Sequence, residues 1–343
     1  MSSASQVGPL PSVTRQFKLA ARPVGLPKES DFSLATAPMP APADGQVLIK
    51  TVYLSVDPYM RGRITGVRTY ADPVNIGDVM QGGTVGQVVQ SKSADFATGD
   101  FVIGQWGWQE HAALDAKAVR KLDPKLAPVS TALGVLGMPG MTAYFGFLDI
   151  CIPKAGETVV VSGGAGAVGS LVGQIAKIKG CHTVGIAGAD SKVDWMVHDL
   201  GFDSAFNYKT VSDYGAKLKE LCPNGIDCYF DNVGGAITDA VFPLMNVFGR
   251  ISICGQISQY NMDKPEPGPR ILATVLVRQL KVEGFIVTRF QNKMPEGIAQ
   301  MAKWMHEGKL KHREEVVEGF QNTVKAFIGM LKGDNTGKML VKV

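Results

Sequence analysis

Hydrophobic and polar positions follow two different rhythms along this chain, and the change comes at about Ser130. Between residues 16 and 128, short runs stop repeatedly at Gly or Pro. Gln46–Val52, Gly83–Gln90, Asp100–Gln105 and Gln109–Leu114 are such runs, beside turn signals such as Asp44-Gly45 and Thr98-Gly99-Asp100. Long helical periods are scarce there, so the pattern predicts a β-rich, barrel-like domain. After Ser130, helical stretches alternate with short apolar runs. The runs are Thr158–Ser162, Thr183–Ala187, Ser204–Tyr208, Cys228–Asp231, Arg250–Cys254 and Val282–Val287. Between them lie Lys192–Leu200, Tyr214–Leu221, Ala236–Met245 and Ile271–Gln279, all with helical character. Such alternation predicts right-handed crossovers and a doubly wound parallel sheet, with ligands held outside the carboxyl ends of the strands. Two amphipathic helices, Pro295–Glu307 and Phe320–Leu331, precede a last strand, Lys338–Val343. That strand needs a partner, and the β-rich part offers one.

One stretch organises the second half. Thr158-Val-Val-Val-Ser162 is a β-branched run that ends in Gly163-Gly164-Ala165-Gly166-Ala167-Val168-Gly169, and a helical pattern follows at once. Gly164, Gly166 and Gly169 fit the dinucleotide fingerprint with a strand before it and a helix after it, which is the context the motif requires. The glycines allow a tight turn, close approach of backbone to a pyrophosphate, and helix-to-strand contact. The phosphates then lie on amide groups at a helix N-terminus. The chain reads as a nicotinamide-cofactor enzyme.

Composition narrows this little further. A length of 343 residues accommodates about two domains. The net charge of +4 is mild and its basic residues are scattered, so no nucleic-acid surface is expected. Five cysteines without a C-x-x-C pair make neither a disulfide framework nor a zinc ribbon, and reduced thiols suit a cytoplasmic protein. No apolar run approaches the about 20 residues that span a membrane. Residues 1–15 read as a loose polar tail without a secretory signal.

The choice of cofactor turns on the second strand of the sheet. NAD-binding sheets place Asp or Glu at its end, on the ribose 2′-hydroxyl. Here the strand ends Gly185-Ile186-Ala187-Gly188, with Lys192 soon after, which suits a 2′-phosphate and hence NADPH. Tyr208, ending the third strand, adds a hydroxyl. Asp190 is the complication: it is either a displaced ribose ligand or a charge at the start of the following helix. Lys192 can also be read as an ordinary exposed helix lysine.

Zinc is not expected. Ser55-Val-Asp-Pro-Tyr-Met-Arg61 and Gln81-Gly-Gly-Thr-Val-Gly86, where ligands should fall, hold no Cys or His, and His111, His182, His198, His306 and His312 have no metal spacing. Without a Lewis acid, reduction of a C=C bond conjugated to a carbonyl is easier than alcohol oxidation. Hydride adds to the β-carbon and charge collects on the carbonyl oxygen, which a hydrogen-bond donor stabilises. Tyr260, on the loop Gly255-Gln-Ile-Ser-Gln-Tyr-Asn261 after the fifth strand, is the candidate donor, although a loop aromatic that merely packs is the plainer reading. Asn232 is placed to bind cofactor.

At these residues the chain resembles the zinc-free medium-chain reductases of the leukotriene B4 dehydrogenase and prostaglandin reductase type, which include plant alkenal double-bond reductases and bacterial curcumin reductase. The resemblance runs from about Arg15 to Val343. It is carried by Tyr53-Leu-Ser-Val-Asp-Pro-Tyr-Met-Arg61, Leu136-Gly-Met-Pro-Gly140, Asp231-Asn-Val-Gly-Gly235, Ser258-Gln-Tyr-Asn261, Glu283-Gly-Phe-Ile286 and Gly333-Asp-Asn-Thr-Gly-Lys338. Leu133–Gly140 and Phe327–Gly333 point to the curcumin-reductase branch. The resemblance implies an α/β fold: a GroES-like β-rich domain over 16–128 and 303–343, and an inserted Rossmann domain with a doubly wound parallel sheet over 129–302. It further implies NADPH, a small enone or alkenal substrate and a homodimer. By motif, Lys192 and Tyr208 hold the 2′-phosphate. Met138, Thr142, Asn232, Phe285, Ile286, Val287, Asn335 and Gly337 surround the rest of the cofactor, with Gly164, Gly166, Ala167, Val168, Gly169 and Gly188. The loop residues Cys254, Gly255, Ile257, Ser258 and Tyr260 complete that set. Tyr260 is the implied acid or enolate donor; Pro58 and Tyr59 line the substrate side, Pro58 also touching cofactor. Gln256 stands where small or apolar residues are frequent, which leaves the substrate preference open. Quinone reduction and cofactor binding without turnover stay as alternatives.

Overall fold

The structure is a computed structural model and describes residues 10–343. The chain divides into two compact units. One is Gly134–Glu314 with Asn335–Lys338; the other is the chain up to Leu133 with Glu315–Asp334 and Met339–Val343.

The first unit is built on six parallel strands: β1 (Thr158–Ser162), β2 (His182–Ala187), β3 (Ser204–Asn207), β4 (Ile226–Asp231), β5 (Met245–Ile253) and β6 (Lys281–Gly284). Their order across the sheet is β3-β2-β1-β4-β5-β6, so the order reverses at β1 and β4, where a doubly wound sheet binds its ligands. The register sets Thr158 against His182 and Cys228 against Val159, which aligns the carboxyl ends of β1, β2 and β4. Val159, Val160 and Val161 are fully buried, as a β-branched strand covered on both faces should be. Helix Gly169–Ile178 packs Leu171, Val172, Ile175 and Ala176 into a core shared with Phe145, Phe147 and Phe230.

Several boundaries differ from those predicted. Residues 303–314, expected with the β-rich domain, group with the parallel sheet because Trp304 and Leu310 are buried in its core. Residues 129–133 go the other way: Ala132 and Leu133 pack with Val85 and Leu340. The helix expected over Lys192–Leu200 is one α-turn, Asp190–Asp194, followed by a wider π-type turn, Trp195–Asp199, that tucks Met196 into the sheet. Only Gly235–Val241 and a short 3₁₀ turn fill the helix expected over Ala236–Met245, and β5 already begins at Met245. The strand β6 stops at Gly284, so Phe285, Ile286 and Val287 lie beyond it rather than within it.

The other unit carries a seven-stranded sheet in the order Glu314–Glu318, Lys338–Lys342, Gln46–Ser55, Thr84–Ser91, Phe101–Gly104 and Arg120–Leu122, with His111–Asp115 paired to Gln46–Ser55. The chain's last strand runs antiparallel to Gln46–Ser55, with Leu340 opposite Ser55. Residues 1–9 of the predicted tail lie outside the described residues. Val13–Arg15 do not belong to a tail: they open the strand Val13–Leu19, which pairs with Phe32–Pro38. Phe17 and Leu19 are buried on one face of that strand, and Thr14 is buried on the other, where its hydroxyl meets His111 Nδ1 at 3.1 Å.

Candidate active site

The glycine turn after β1 meets its steric demands at named atoms. A Cβ on Gly169 would lie 2.3 Å from the Gly163 carbonyl oxygen, and one on Gly164 would lie 2.7 Å from the Met196 sulfur. A Cβ on Gly166 would meet only the Gly163 carbonyl, at 3.2 Å. The Gly164 N–H donates to the Ile186 carbonyl at 2.9 Å, which ties the turn to β2. Further along, Ser170 N–H donates to the Gly166 carbonyl at 3.1 Å, and the turn opens onto the N-terminus of the helix Gly169–Ile178. Such an arrangement fits a pyrophosphate.

A segment from far along the chain closes on this turn. Gly337 donates its N–H to the Ala165 carbonyl at 2.8 Å, and Asn335 Nδ2 donates to the Gly337 carbonyl at 2.8 Å. Gly337 holds φ at +72°, and a Cβ there would stand 2.2 Å from the Arg313 carbonyl oxygen, so only glycine fits.

At the ends of β2 and β3, Tyr208 N–H donates to the Ala187 carbonyl at 2.9 Å. The Tyr208 ring lies over Gly188, where a Cβ would come within 2.9 Å of its hydroxyl oxygen. Asn207 Nδ2 donates to Asp190 Oδ1 at 2.8 Å, which engages that carboxylate with the third strand. Asp190 begins the helical turn whose residue before it, Ala189, is the cap; Lys192 is half-buried on the same turn. This corner therefore carries a phenol over an uncharged strand end and an acid engaged by Asn207, with a lysine two residues after that acid, which fits the 2′-phosphate of NADPH.

Past β4 and β5 the backbone forms a double loop. Asn232 N–H donates to Ser162 Oγ at 2.9 Å, and Asn232 Nδ2 to the Ser162 carbonyl at 2.7 Å. Cys254 and Gly255 N–H groups both donate to the Asp231 carbonyl, at 2.8 and 3.0 Å. Ile257 and Ser258 N–H groups donate to Asn232 and Val233 carbonyls. The loop then returns so that Gln256 N–H donates to the Tyr260 hydroxyl oxygen at 3.2 Å. Burial, reinforced by the Asp231 charge, pushes the Cys254 thiol up to about 12, so this cysteine is no nucleophile at neutral pH.

On the helix Met138–Leu148, Thr142 Oγ1 donates to the Met138 carbonyl at 2.8 Å, and Met138 is exposed at the helix start. The Phe285 ring is seated over Gly146, where a Cβ would meet it at 2.2 Å, and faces Phe230 at 6.4 Å. The Phe285 side chain is thus committed to the core of this unit. Ile286 is exposed, and Val287 begins a 3₁₀ turn.

In the β-rich unit, Pro58 and Tyr59 form a tight turn in which Arg61 N–H donates to the Pro58 carbonyl at 3.1 Å. Burial drives the Tyr59 hydroxyl well above its ordinary range, and Asp57 adds to that. Among the described residues no group of three His, Cys, Asp or Glu side chains could hold a metal ion, and no helix is long and apolar enough to cross a membrane. The supporting residues Ser162, Tyr229 and Thr238 escaped the sequence reading as site residues. The signal was the Asp231-Asn232-Val-Gly-Gly235 run itself, an acid at a strand's end directly before a glycine turn.

Two family descriptions match the chain: "N-terminal domain of oxidoreductase" over residues 15–122 and "Zinc-binding dehydrogenase" over residues 167–304. The chain is 48% identical to prostaglandin reductase 1 of Rattus norvegicus over 322 residues, 93% of this chain and 95% of that protein. It is 44% identical to the NADPH-dependent curcumin reductase of Escherichia coli over 334 residues, 96% of each. Its structure resembles that of CurA from Vibrio vulnificus in complex with NADPH, with a TM-score of 0.92, 46% identity and coverage of 96% of this chain and 99% of that one.

Proposed function

The chain belongs to the medium-chain dehydrogenase/reductase family, in the group of the prostaglandin and curcumin reductases, and is an NADPH-dependent oxidoreductase; from that premise we propose how its own residues reduce the C=C bond of α,β-unsaturated ketones and aldehydes. Bound NADPH supplies the hydride. Lys192 and Tyr208 hold the 2′-phosphate, the turn Gly164–Gly169 takes the pyrophosphate, and Asn232, Asn335 and the Phe285–Val287 backbone fix the nicotinamide half. Met138 and Thr142 flank it. Pro58 and Tyr59 contribute to substrate binding.

The observation that carries this reading is the Tyr260 hydroxyl, pinned by Gln256 N–H at the carboxyl end of the sheet. A phenol whose oxygen already accepts one hydrogen bond donates its own proton more strongly. Tyr260 therefore donates to the substrate carbonyl oxygen as negative charge gathers there, and it need not ionise. The test follows NADPH absorbance with an alkyl enone, a 2-alkenal, curcumin and a quinone, repeated with NADH. Rapid turnover of the enone and alkenal with NADPH alone is the expected result. Turnover of the quinone only would replace C=C reduction by quinone reduction.

The homodimer belongs to the same proposal. Leu272, Leu276 and Val277 expose 78%, 77% and 72% of their surface on one helix beside β6, the outermost strand, and Phe248 exposes 64%. An unpaired strand edge next to bare apolar side chains invites a second copy. Antiparallel pairing of β6 about Val282 sets Lys281 opposite the partner's Glu283, so the edge is self-complementary in charge. Sedimentation should give a dimer for the wild type and a monomer for Leu276→Asp; a wild-type monomer would remove the dimer from the proposal.

A further inference from the structure

The Asp231 side chain is fully buried at the end of β4 and accepts five hydrogen bonds. Four converge on Oδ1: Ser162 Oγ at 3.0 Å, the Tyr229 hydroxyl at 2.9 Å, Val233 N–H at 3.0 Å and Gly234 N–H at 2.9 Å. Thr238 Oγ1 donates to Oδ2 at 2.7 Å. This carboxylate draws β1, β4 and the helix Gly235–Val241 to one point. Ser162, also fully buried, passes the constraint on: its hydroxyl donates to Asp231 and accepts from Asn232 N–H at 2.9 Å. The peptides thus fixed, Asp231 to Val233, supply the carbonyls on which Cys254, Gly255, Ile257 and Ser258 hang. Tyr260 ends that loop.

We propose that Asp231 and Ser162 are positioning residues for the proposed reaction, holding Asn232 toward the cofactor and the Tyr260 loop toward the substrate through one shared buried oxygen. The proposal rests on the reading of Asn232 and Tyr260 given above. A buried network in which every donor has its acceptor defines one geometry, and removing a member strands the others. Ser162 is the link whose loss is felt on the cofactor side. Thr238 bonds the far oxygen of Asp231 and, at 2.9 Å, the Tyr229 hydroxyl, both on the helix side and neither leading to Asn232, and so serves as the structural control.

Three variants decide the matter, each followed by NADPH titration of tryptophan fluorescence, steady-state kinetics and thermal melting without cofactor. Ser162→Ala strands the Asn232 N–H, and a buried group left unpaired costs enough to raise the NADPH Kd about tenfold and to lower kcat. Thr238→Val should lower the melting temperature while leaving the Kd within about twofold of wild type. Asp231→Asn, which puts an NH2 against donors, should raise the Kd and lower kcat further than Ser162→Ala does; if it does not fold, the Ser162→Ala result stands as the decision. A Ser162→Ala protein that binds NADPH and turns over as wild type overturns the proposal, as does a Thr238→Val protein with the same loss of affinity, which would mean general loosening. Failure of the wild type to reduce an enone would instead overturn the reading of the reaction, and the Kd comparison would still report on the positioning of Asn232.

Discussion

Tyr260→Phe should cut enone turnover by about 10²–10³-fold while the NADPH Kd moves by less than about threefold. The substitution removes one oxygen from a half-buried ring and leaves the loop's backbone bonds to Asp231, Asn232 and Val233 in place. What it loses is the donor to the substrate carbonyl, an interaction that strengthens only as charge develops, so the loss falls on kcat more than on KM. The Gln256 N–H loses its acceptor too, and on this partly exposed loop water can replace it. Single-turnover absorbance with saturating NADPH measures the chemical step directly. A Phe variant that reduced enones at the wild-type rate would take Tyr260 out of the chemistry and leave it as a packing residue of the loop.

Gly188→Asp should reverse the choice of cofactor. Two effects act in the same direction. A Cβ at this position would come within 2.9 Å of the Tyr208 ring, so the ring has to leave and the 2′-phosphate loses a donor. The new carboxylate then stands where NAD-binding sheets place theirs, repelling the phosphate and accepting from a 2′-hydroxyl. Hydrogen bonds to a charged group contribute about 1.5–3 kcal/mol each, so losing one and adding repulsion should raise KM for NADPH about 100-fold. KM for NADH should fall. Lys192→Ala is the companion: it removes positive charge alone, so it should weaken NADPH without improving NADH. The ratio of kcat/KM values for the two cofactors measures both variants. An unchanged ratio in Gly188→Asp would place the 2′-phosphate elsewhere.

Both predictions use residues that neighbouring chain makes legible. The strand–glycine–helix run at Thr158–Ile178, the uncharged end of β2 at Gly188 and the tyrosine after β5 are each recognisable within a few residues of themselves. Their chemistry depends on local backbone geometry and on the strand end to which they are attached. Periodicity is local in the same sense, and so the alternation after Ser130 predicted a parallel sheet. It did less well at ends of elements. Asp190–Asp199 has the apolar spacing of a helix, yet Met196 is drawn into the sheet beneath Gly164 and Gly185, and the backbone widens to let it in.

By itself, then, the sequence determined the class of fold, the glycine turn, the preference for a 2′-phosphate and the identity of the candidate donor, because each is a property of consecutive residues. Tertiary structure decided the rest. Nothing near Asn335–Lys338 in the chain shows that this segment lies against Ala165, and only folding brings the Arg313 carbonyl close enough to demand glycine at 337. The same holds for Phe285, whose ring is committed to Gly146, and for Trp304 and Leu310, whose burial assigns their stretch to the parallel-sheet unit. The physical reason is that a buried polar group must find its partners wherever the fold supplies them. Asp231 finds Ser162 on a neighbouring strand and Thr238 on the following helix. No spacing along the chain encodes that meeting; it exists only once β1 and β4 lie side by side.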